Sequence, residues 1–435
     1  MSDDYAGIPT WLVNAHNAEH LTDVIRTLGK REGLRSAARA ASLYQASSQK
    51  RHTIAQIASA MNTKAARTDH YSISAGADTA NARSNRYVDI LPYDRTRVVV
   101  CPGAVGHACS SDCADGRYLN ANWVRERTGG KWWVATQAPL PHTAHAFLSV
   151  FLDGVSPPPS SSPSSSSPSP SASTSTGADP THTLRARARI RTVVQLTPNI
   201  EHGKRKAHVY FPPLPGQSWV VEPDPAPGMP GASAPPAANR PISVTLLRAH
   251  DVPAAHAAHS AVAVQALDPA SRAPVGPRVV FQHLLYASWP DHGVPAREDR
   301  EGLLAFARLV HDVNRDLAAH AELEGGQGDG GGGDELDPDP PMMVNCSAGV
   351  GRTGAFIALC SLLRHCGLLP PVEGGPPGEL PPSPLGALQS DLVAQEIDAL
   401  REQRPGMVQR DDQILMVYET LISALVDVKG KEGAK

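Results

Sequence analysis

Long apolar runs are missing from this chain. No stretch approaches the roughly 20 residues that a helix needs to cross a bilayer, which excludes a helical membrane span. Also missing is a surplus of one charge: 40 Lys and Arg stand against 43 Asp and Glu, a formal net charge of −3. That balance creates no field to gather nucleic acid, so no nucleic-acid partner is expected. The start, Met1-Ser2-Asp3-Asp4-Tyr5, has neither the basic residues nor the apolar core of a secretory signal. The expected location is the cytoplasm, with the nucleus as a second candidate. No internal repeat is visible. Cysteine is scarce, six in 435 residues, and its spacing suggests no disulfide framework, as suits a reducing compartment. Cys101, Cys109 and Cys113 share a segment with His107 but match no common zinc spacing, and read as incidental thiols of a loop. Cys360 sits in an apolar run and reads as a small core residue, with Cys366 near the end of the same element.

Proline and glycine, by contrast, are abundant, at 40 and 36 residues. Twenty-one of the prolines and twelve of the glycines fall in four tracts, 156–176, 221–238, 324–340 and 370–384, whose composition cannot pack a core. Loop closure costs rise only with the logarithm of length, so such inserts are tolerated at a surface. Phosphorylation or proline-motif docking is their functional reading, and plain surface loops the simpler one. Setting them aside leaves one catalytic domain over 61–428 and a helical extension over 1–60. In that extension Trp11-Leu12, Leu21, Val24-Ile25 and Leu28 recur at helical spacing, and Thr22-Asp23 offers a cap. It is expected to pack on the catalytic core or to serve as a docking element. Further on, Arg97-Val98-Val99-Val100, Trp132-Trp133-Val134-Ala135 and Ile190–Leu196 read as strands bounded by turn residues. Arg185, Arg187, Arg189 and Arg191 alternate just before the last of these and read as a solvated strand edge, with a substrate-docking stripe as the alternative.

The chemistry concentrates in Val344-Asn345-Cys346-Ser347-Ala348-Gly349-Val350-Gly351-Arg352-Thr353-Gly354. Small residues let the amides of Ser347, Ala348, Gly349, Val350 and Gly351 point inward as an anion nest. The apolar run from Ala355 to Leu359 predicts a helix whose N-terminal dipole faces the same anion. A site that stabilises phosphate oxygens also stabilises a thiolate, so Cys346 is expected to be acidic and nucleophilic. Arg352 brings a planar fork able to hold two oxygens at once.

This loop resembles the Cys-x5-Arg-Ser/Thr signature of protein tyrosine phosphatases. Six further blocks resemble that family in its own order: Asn85–Asp94, Tyr118–Trp123, Thr136–Pro141, Glu201–Lys206, Trp289–Pro295 and Gln403–Gln409, with Gln413 beyond. The likeness runs from about Tyr87 to Leu425, and the long inserts suggest a fungal-type member of the non-receptor, tyrosine-specific branch. It implies an α/β fold, a twisted mixed β-sheet flanked by helices, with the cysteine loop between a strand and a helix. It implies a cofactor-free, metal-independent hydrolase acting on phosphotyrosine-containing proteins, protein kinases among them.

Residue by residue, the resemblance makes Asp291 the general acid and base on a movable loop hinged at Trp289 and Pro290. His292 is then a loop residue. Gln409 and Gln413 match glutamines that orient the hydrolytic water, and Thr353 a hydroxyl directed at the sulfur. Tyr87 matches the aromatic that lines a deep pocket, Asp89 the carboxylate that holds substrate amides. Glu201 and Lys206 match a pair supporting the arginine and the acid loop. One residue departs from the pattern: Asn345 stands where the family usually has histidine. An amide donates a hydrogen bond but cannot become cationic, so weaker thiolate activation is expected. The departure is the one feature favouring a phosphotyrosine-binding pseudophosphatase; a dual-specificity phosphatase is the remaining alternative.

Overall fold

The computed structural model describes residues 8–49, 68–100, 117–155, 189–224, 240–290, 293–324, 337–373, 380 and 382–432. Eleven strands occur among them: β1 (Arg97–Val100), β2 (Arg117–Arg125), β3 (Trp132–Thr136), β4 (Thr192–Gln195), β5 (Ile200–Glu201), β6 (Lys204–Arg205), β7 (Ser218–Val221), β8 (Ile242–Val252), β9 (Ala257–Leu267), β10 (Pro274–Tyr286) and β11 (Met342–Asn345). The helices of eight residues or more are α1 (Ala18–Gln49), α2 (Ala144–Asp153), α3 (Arg300–Arg315), α4 (Leu317–Glu324), α5 (Gly351–His365), α6 (Leu392–Gln403) and α7 (Asp411–Glu432).

Nine strands form one mixed sheet in the order β1-β2-β3-β11-β4-β10-β9-β8-β7. Its centre is parallel, β3 with β11, β11 with β4 and β4 with β10, and both wings are antiparallel. Central parallel strands are buried on both faces, and every residue of β11 and β4 is buried. Alternation divides them between two cores: Met342 and Val344 pack to one side, Met343 to the other, as Val194 and Val193 do on β4. Beneath one face lie Phe306 of α3, Phe356 of α5, Ile397 of α6 and Val417 of α7. The other face is covered by α2, whose Phe151 stacks on Phe281 at 4.2 Å between ring centroids. The fold is therefore the α/β arrangement expected, with β11 at the middle of the sheet feeding directly into the cysteine loop and α5.

Helix α1 lies on α6. Val24 and Leu28 are buried, and Arg31 Nε and Arg35 Nη2 both reach Asp398 Oδ1, at 2.8 and 2.5 Å. Its start differs from the expectation. Asn17, not Thr22-Asp23, supplies the cap: the Asn17 side chain accepts from Glu19 N–H at 2.8 Å, while the Thr22 hydroxyl donates back to the Ala18 carbonyl.

The arginine stripe is also corrected. Arg191 is 2% exposed and donates to the Asp337 carbonyl, so it does not lie on a solvated edge, while the half-buried Arg189 pairs with Glu324. Arg185, Arg187, Cys101, Cys109, Cys113 and His107 lie outside the described residues. The margins of three tracts are structured: Val221 ends β7, Asp339 is buried against Lys131, and the Ser383 backbone exchanges two hydrogen bonds with the Gln395 side-chain amide. Composition misplaces these ends because a few anchoring residues do not alter the average of a proline- or glycine-rich window. Cys360 is fully buried, and burial holds its thiol well above the ordinary value, the state of an inert core residue.

Candidate active site

The loop after β11 is held from outside, carbonyl by carbonyl. Asn345 Nδ2 donates to the Cys346 carbonyl at 3.1 Å, and the Ala138 amide to that of Ser347 at 3.0 Å. Arg404 Nη2 reaches the Ala348 carbonyl at 3.1 Å and Arg404 Nε that of Gly349 at 2.8 Å. The Val350 carbonyl accepts from Gly354 and Val408. A trans peptide directs its N–H opposite its C=O, so outward carbonyls leave the amides to the concave side. Gly349 is indispensable here: its φ is +71°, and a Cβ would lie 2.1 Å from the Thr136 carbonyl oxygen.

Cys346 sits at the loop's floor, 6% exposed. Burial pushes its thiol up, yet the Thr353 hydroxyl, the Arg352 guanidinium and the Thr353 and Val350 amides outweigh that and hold it below the ordinary value. The Thr353 hydroxyl is buried and finds no oxygen or nitrogen partner, which leaves it for the sulfur. Arg352, at the start of α5, is gripped in a bidentate pair by Glu201, Nη1 to Oε1 at 2.6 Å and Nη2 to Oε2 at 3.0 Å. It also donates to the carbonyls of Leu196 (3.2 Å) and Pro290 (3.0 Å). The guanidinium thus joins the cysteine loop, the end of β4 and the segment at Trp289-Pro290. Asp291 and His292 lie outside the described residues; the bond from Trp289 Nε1 to the Gly293 carbonyl, 3.1 Å, spans that step.

Tyr87 stands at the loop's entrance. Ser347 Oγ donates to the Lys206 carbonyl at 2.7 Å, so the Tyr87 hydroxyl, 2.8 Å away, donates to Ser347 Oγ. Asp89 is exposed two residues on, and the Glu201–Lys206 segment forms the adjoining wall. Gln413 is buried against Gly351, whereas Gln409 is exposed at the surface before α7. The structure therefore brings together Cys346, Arg352, Thr353, Glu201, Tyr87, Ser347, Lys206 and Gln413.

Arg404, Asn120 and Asn122 also serve the site, and sequence reasoning assigned none of them a role. Arg404 is completely buried and has no carboxylate partner among the described residues. Its Nη1 and Nη2 reach Asn122 Oδ1 (2.9 Å) and Asn120 Oδ1 (3.0 Å), completing a clamp behind the loop. The two asparagines are i and i+2 on β2, hence on one face. Polar residues on one face of a buried strand were the available signal. Asn345 has a similar lesson: its Nδ2 is used, but its Oδ1 is buried with no hydrogen-bond partner.

The family model described as protein-tyrosine phosphatase matches residues 81–154 and 186–423. Human tyrosine-protein phosphatase non-receptor type 14 is 27% identical over 347 residues, 79% of this chain and 21% of that protein. The mouse non-receptor type 18 enzyme is 25% identical over 357 residues, 80% of this chain and 53% of that protein. This chain accordingly spans about a fifth and about half of the lengths of these relatives. The crystal structure of the catalytic domain of the human type 18 protein aligns with a TM-score of 0.47 at 22% identity, over 81% of this chain and 88% of that one. With a match across most of its length, the chain belongs to the protein-tyrosine phosphatase family.

Proposed function

We propose that this chain hydrolyses phosphotyrosine in proteins through a cysteinyl-phosphate. The supporting observation is the cysteine loop itself, whose carbonyls from Cys346 to Val350 are all bonded from outside while its amides are left to the concave face above an acidified thiol. In the first step the Cys346 thiolate attacks phosphorus, the bond to the tyrosyl oxygen breaks, and the Asp291 carboxyl gives its proton to that oxygen. In the second step water attacks phosphorus, the Asp291 carboxylate accepts a water proton, and the S–P bond breaks with the thiolate leaving toward the Thr353 hydroxyl. Arg352 and the loop amides hold the equatorial oxygens throughout, and positioning and electrostatics supply most of the rate. Gln413 and Gln409 orient the water, Tyr87 flanks the aryl ring, and Asp89 holds the substrate backbone. The substrates are phosphotyrosyl proteins, kinases among the candidates, met in the cytoplasm.

A second reading, capture without turnover, draws on Asn345, which provides no cation beside the thiol. One experiment separates them. Purified protein is assayed on a phosphotyrosyl and a phosphoseryl peptide, beside Cys346→Ser and Asp291→Ala. Turnover of the phosphotyrosyl peptide should vanish in Cys346→Ser while binding persists, and fall by about 10²–10⁴ in Asp291→Ala. Binding without turnover by the unaltered protein would establish the capture module instead.

A further inference from the structure

Among the described residues four that are not glycine have a positive φ. Three of them, His202, His256 and Arg272, lie in loops between neighbouring strands. The fourth is Val408, φ +52°, between α6 and α7 and immediately before Gln409. It is fully buried, and for a β-branched side chain this conformation is an outlier. Strain of this kind persists only where the surroundings impose it.

Two neighbours impose it here. In front, the Val408 amide donates to the Val350 carbonyl of the cysteine loop at 3.2 Å. Behind, the buried Arg401 donates from Nε to the Met407 carbonyl at 2.8 Å and from Nη2 to the Val408 carbonyl at 2.6 Å. Its Nη1 reaches across to the Leu28 carbonyl of α1 at 3.2 Å. Asp398, Arg401 and Glu402 stand at i, i+3 and i+4, on one face of α6. Asp398 accepts from Arg31 Nε at 2.8 Å and Glu402 from Arg35 Nε at 2.9 Å, so the two carboxylates fix α1 where Arg401 braces against it. A peptide is planar, so holding the Val408 carbonyl also holds the amide of Gln409 and the point from which its side chain starts. Gln409 is exposed, and its aim depends on that backbone.

We propose that Arg401 is a positioning residue for the second step of the reaction: it keeps Val408 left-handed and so presents Gln409 to the water that attacks the cysteinyl-phosphate. The proposal rests on the phosphatase reading above. The first step has no need of this device. The carbonyls of Cys346, Ser347, Ala348 and Gly349 are held by Asn345, Ala138 and Arg404, and that of Val350 also accepts from Gly354.

The test follows the two steps separately in the full-length chain, with a radiolabelled phosphotyrosyl peptide and rapid acid quench. In Arg401→Met the cysteinyl-phosphate should form within about twofold of the wild-type rate, and its decay should slow by about 10- to 100-fold, the scale of a misplaced group. With decay limiting, kcat and KM then fall together while kcat/KM is nearly unchanged. Arg401→Lys, a point charge in place of the fork, should fall between the two. Adding Val408→Gly to Arg401→Met should recover decay by about threefold or more, because glycine adopts a positive φ unaided. These are rate constants of the molecules that react, so an unfolded fraction lowers the amplitude and not the rate. Formation and decay slowed by the same factor, decay unaltered, or no recovery with Val408→Gly overturns the proposal and leaves the phosphatase reading intact. An unaltered protein that forms no cysteinyl-phosphate overturns both.

Discussion

Two arginines hold the cysteine loop, one in front and one behind, and their surroundings are opposites. Arg352 faces the concave side with its charge matched by the Glu201 carboxylate. Arg404 lies behind with four oxygen partners, none of them charged, and burial lowers its guanidinium to about 10. Its favourable charge interactions are with Tyr118 and with Cys346 in their ionised forms. The front arginine contributes directional donors, and its charge, although paired with Glu201, also lowers the Cys346 thiol. The rear one contributes an uncompensated charge for which the thiolate is a counter-ion. Residues of one type thus act from both sides of the thiol: a carboxylate-paired fork in front, a guanidinium without a carboxylate behind.

Lysine substitution separates these contributions, since it keeps charge and discards the fork. Arg352→Lys should lower kcat/KM on a phosphotyrosyl peptide by on the order of 10³, the upper range for losing an oxyanion donor. Arg404→Lys should lose about 10- to 100-fold, through a loosened loop, with the thiol pKa raised by less than about one unit because the charge remains. Equal losses would erase the distinction, and iodoacetate inactivation against pH reads the thiol in both proteins.

Asn345→His sharpens the comparison by adding a titratable cation beside the loop. It should lower the thiol pKa by up to about one unit, roughly 1.4 kcal/mol of thiolate stabilisation. The gain in activity should be largest on the acidic limb and shrink once pH exceeds the wild-type thiol pKa. An unchanged inactivation profile would mean that Arg352, Arg404, Thr353 and the amides set the pKa without this position.

The smallest expected effect lies far from the loop. Glu396 is fully buried, and burial followed by the neighbouring Glu126 raises its carboxyl to about 7. Its folded value exceeds its unfolded one, so the folded state holds the proton more tightly. The associated stability is complete below about pH 4.5 and is lost as pH rises through 7. Glu396→Gln should remove that slope, worth at most about 3 kcal/mol, as read from urea midpoints between pH 4.5 and 7.5. Activity at a fixed pH should change little, unlike the arginine variants.

The catalytic loop was legible because its chemistry is local: a nucleophile, small residues and an arginine within one turn need no tertiary knowledge. Strands β1, β3 and β4 were legible from β-branched and aromatic runs, and α5 from its apolar run. Arg404 was not, because its meaning lies in carbonyls 55 and 56 positions away and in asparagines more than 280 positions away. The burial of Arg191 was hidden likewise, since its acceptor is the Asp337 carbonyl, near the far end of a glycine-rich insert. At the start of α1 the strongest-looking cap lost to Asn17, one turn earlier, because helical periodicity places a helix better than it places its first residue.

The paired asparagines of β2 carry one more consequence. Asn120 Nδ2 holds Asn85 Oδ1 and the Ile90 carbonyl, and Asn122 Nδ2 holds the Tyr93 carbonyl and Thr96 Oγ1, while their oxygens hold Arg404. The wall that bears Tyr87 and the floor that bears Cys346 are thus fastened to the same two side chains. The depth between them works as a fixed gauge: a shorter side chain cannot be met by lowering the wall without also disturbing the floor.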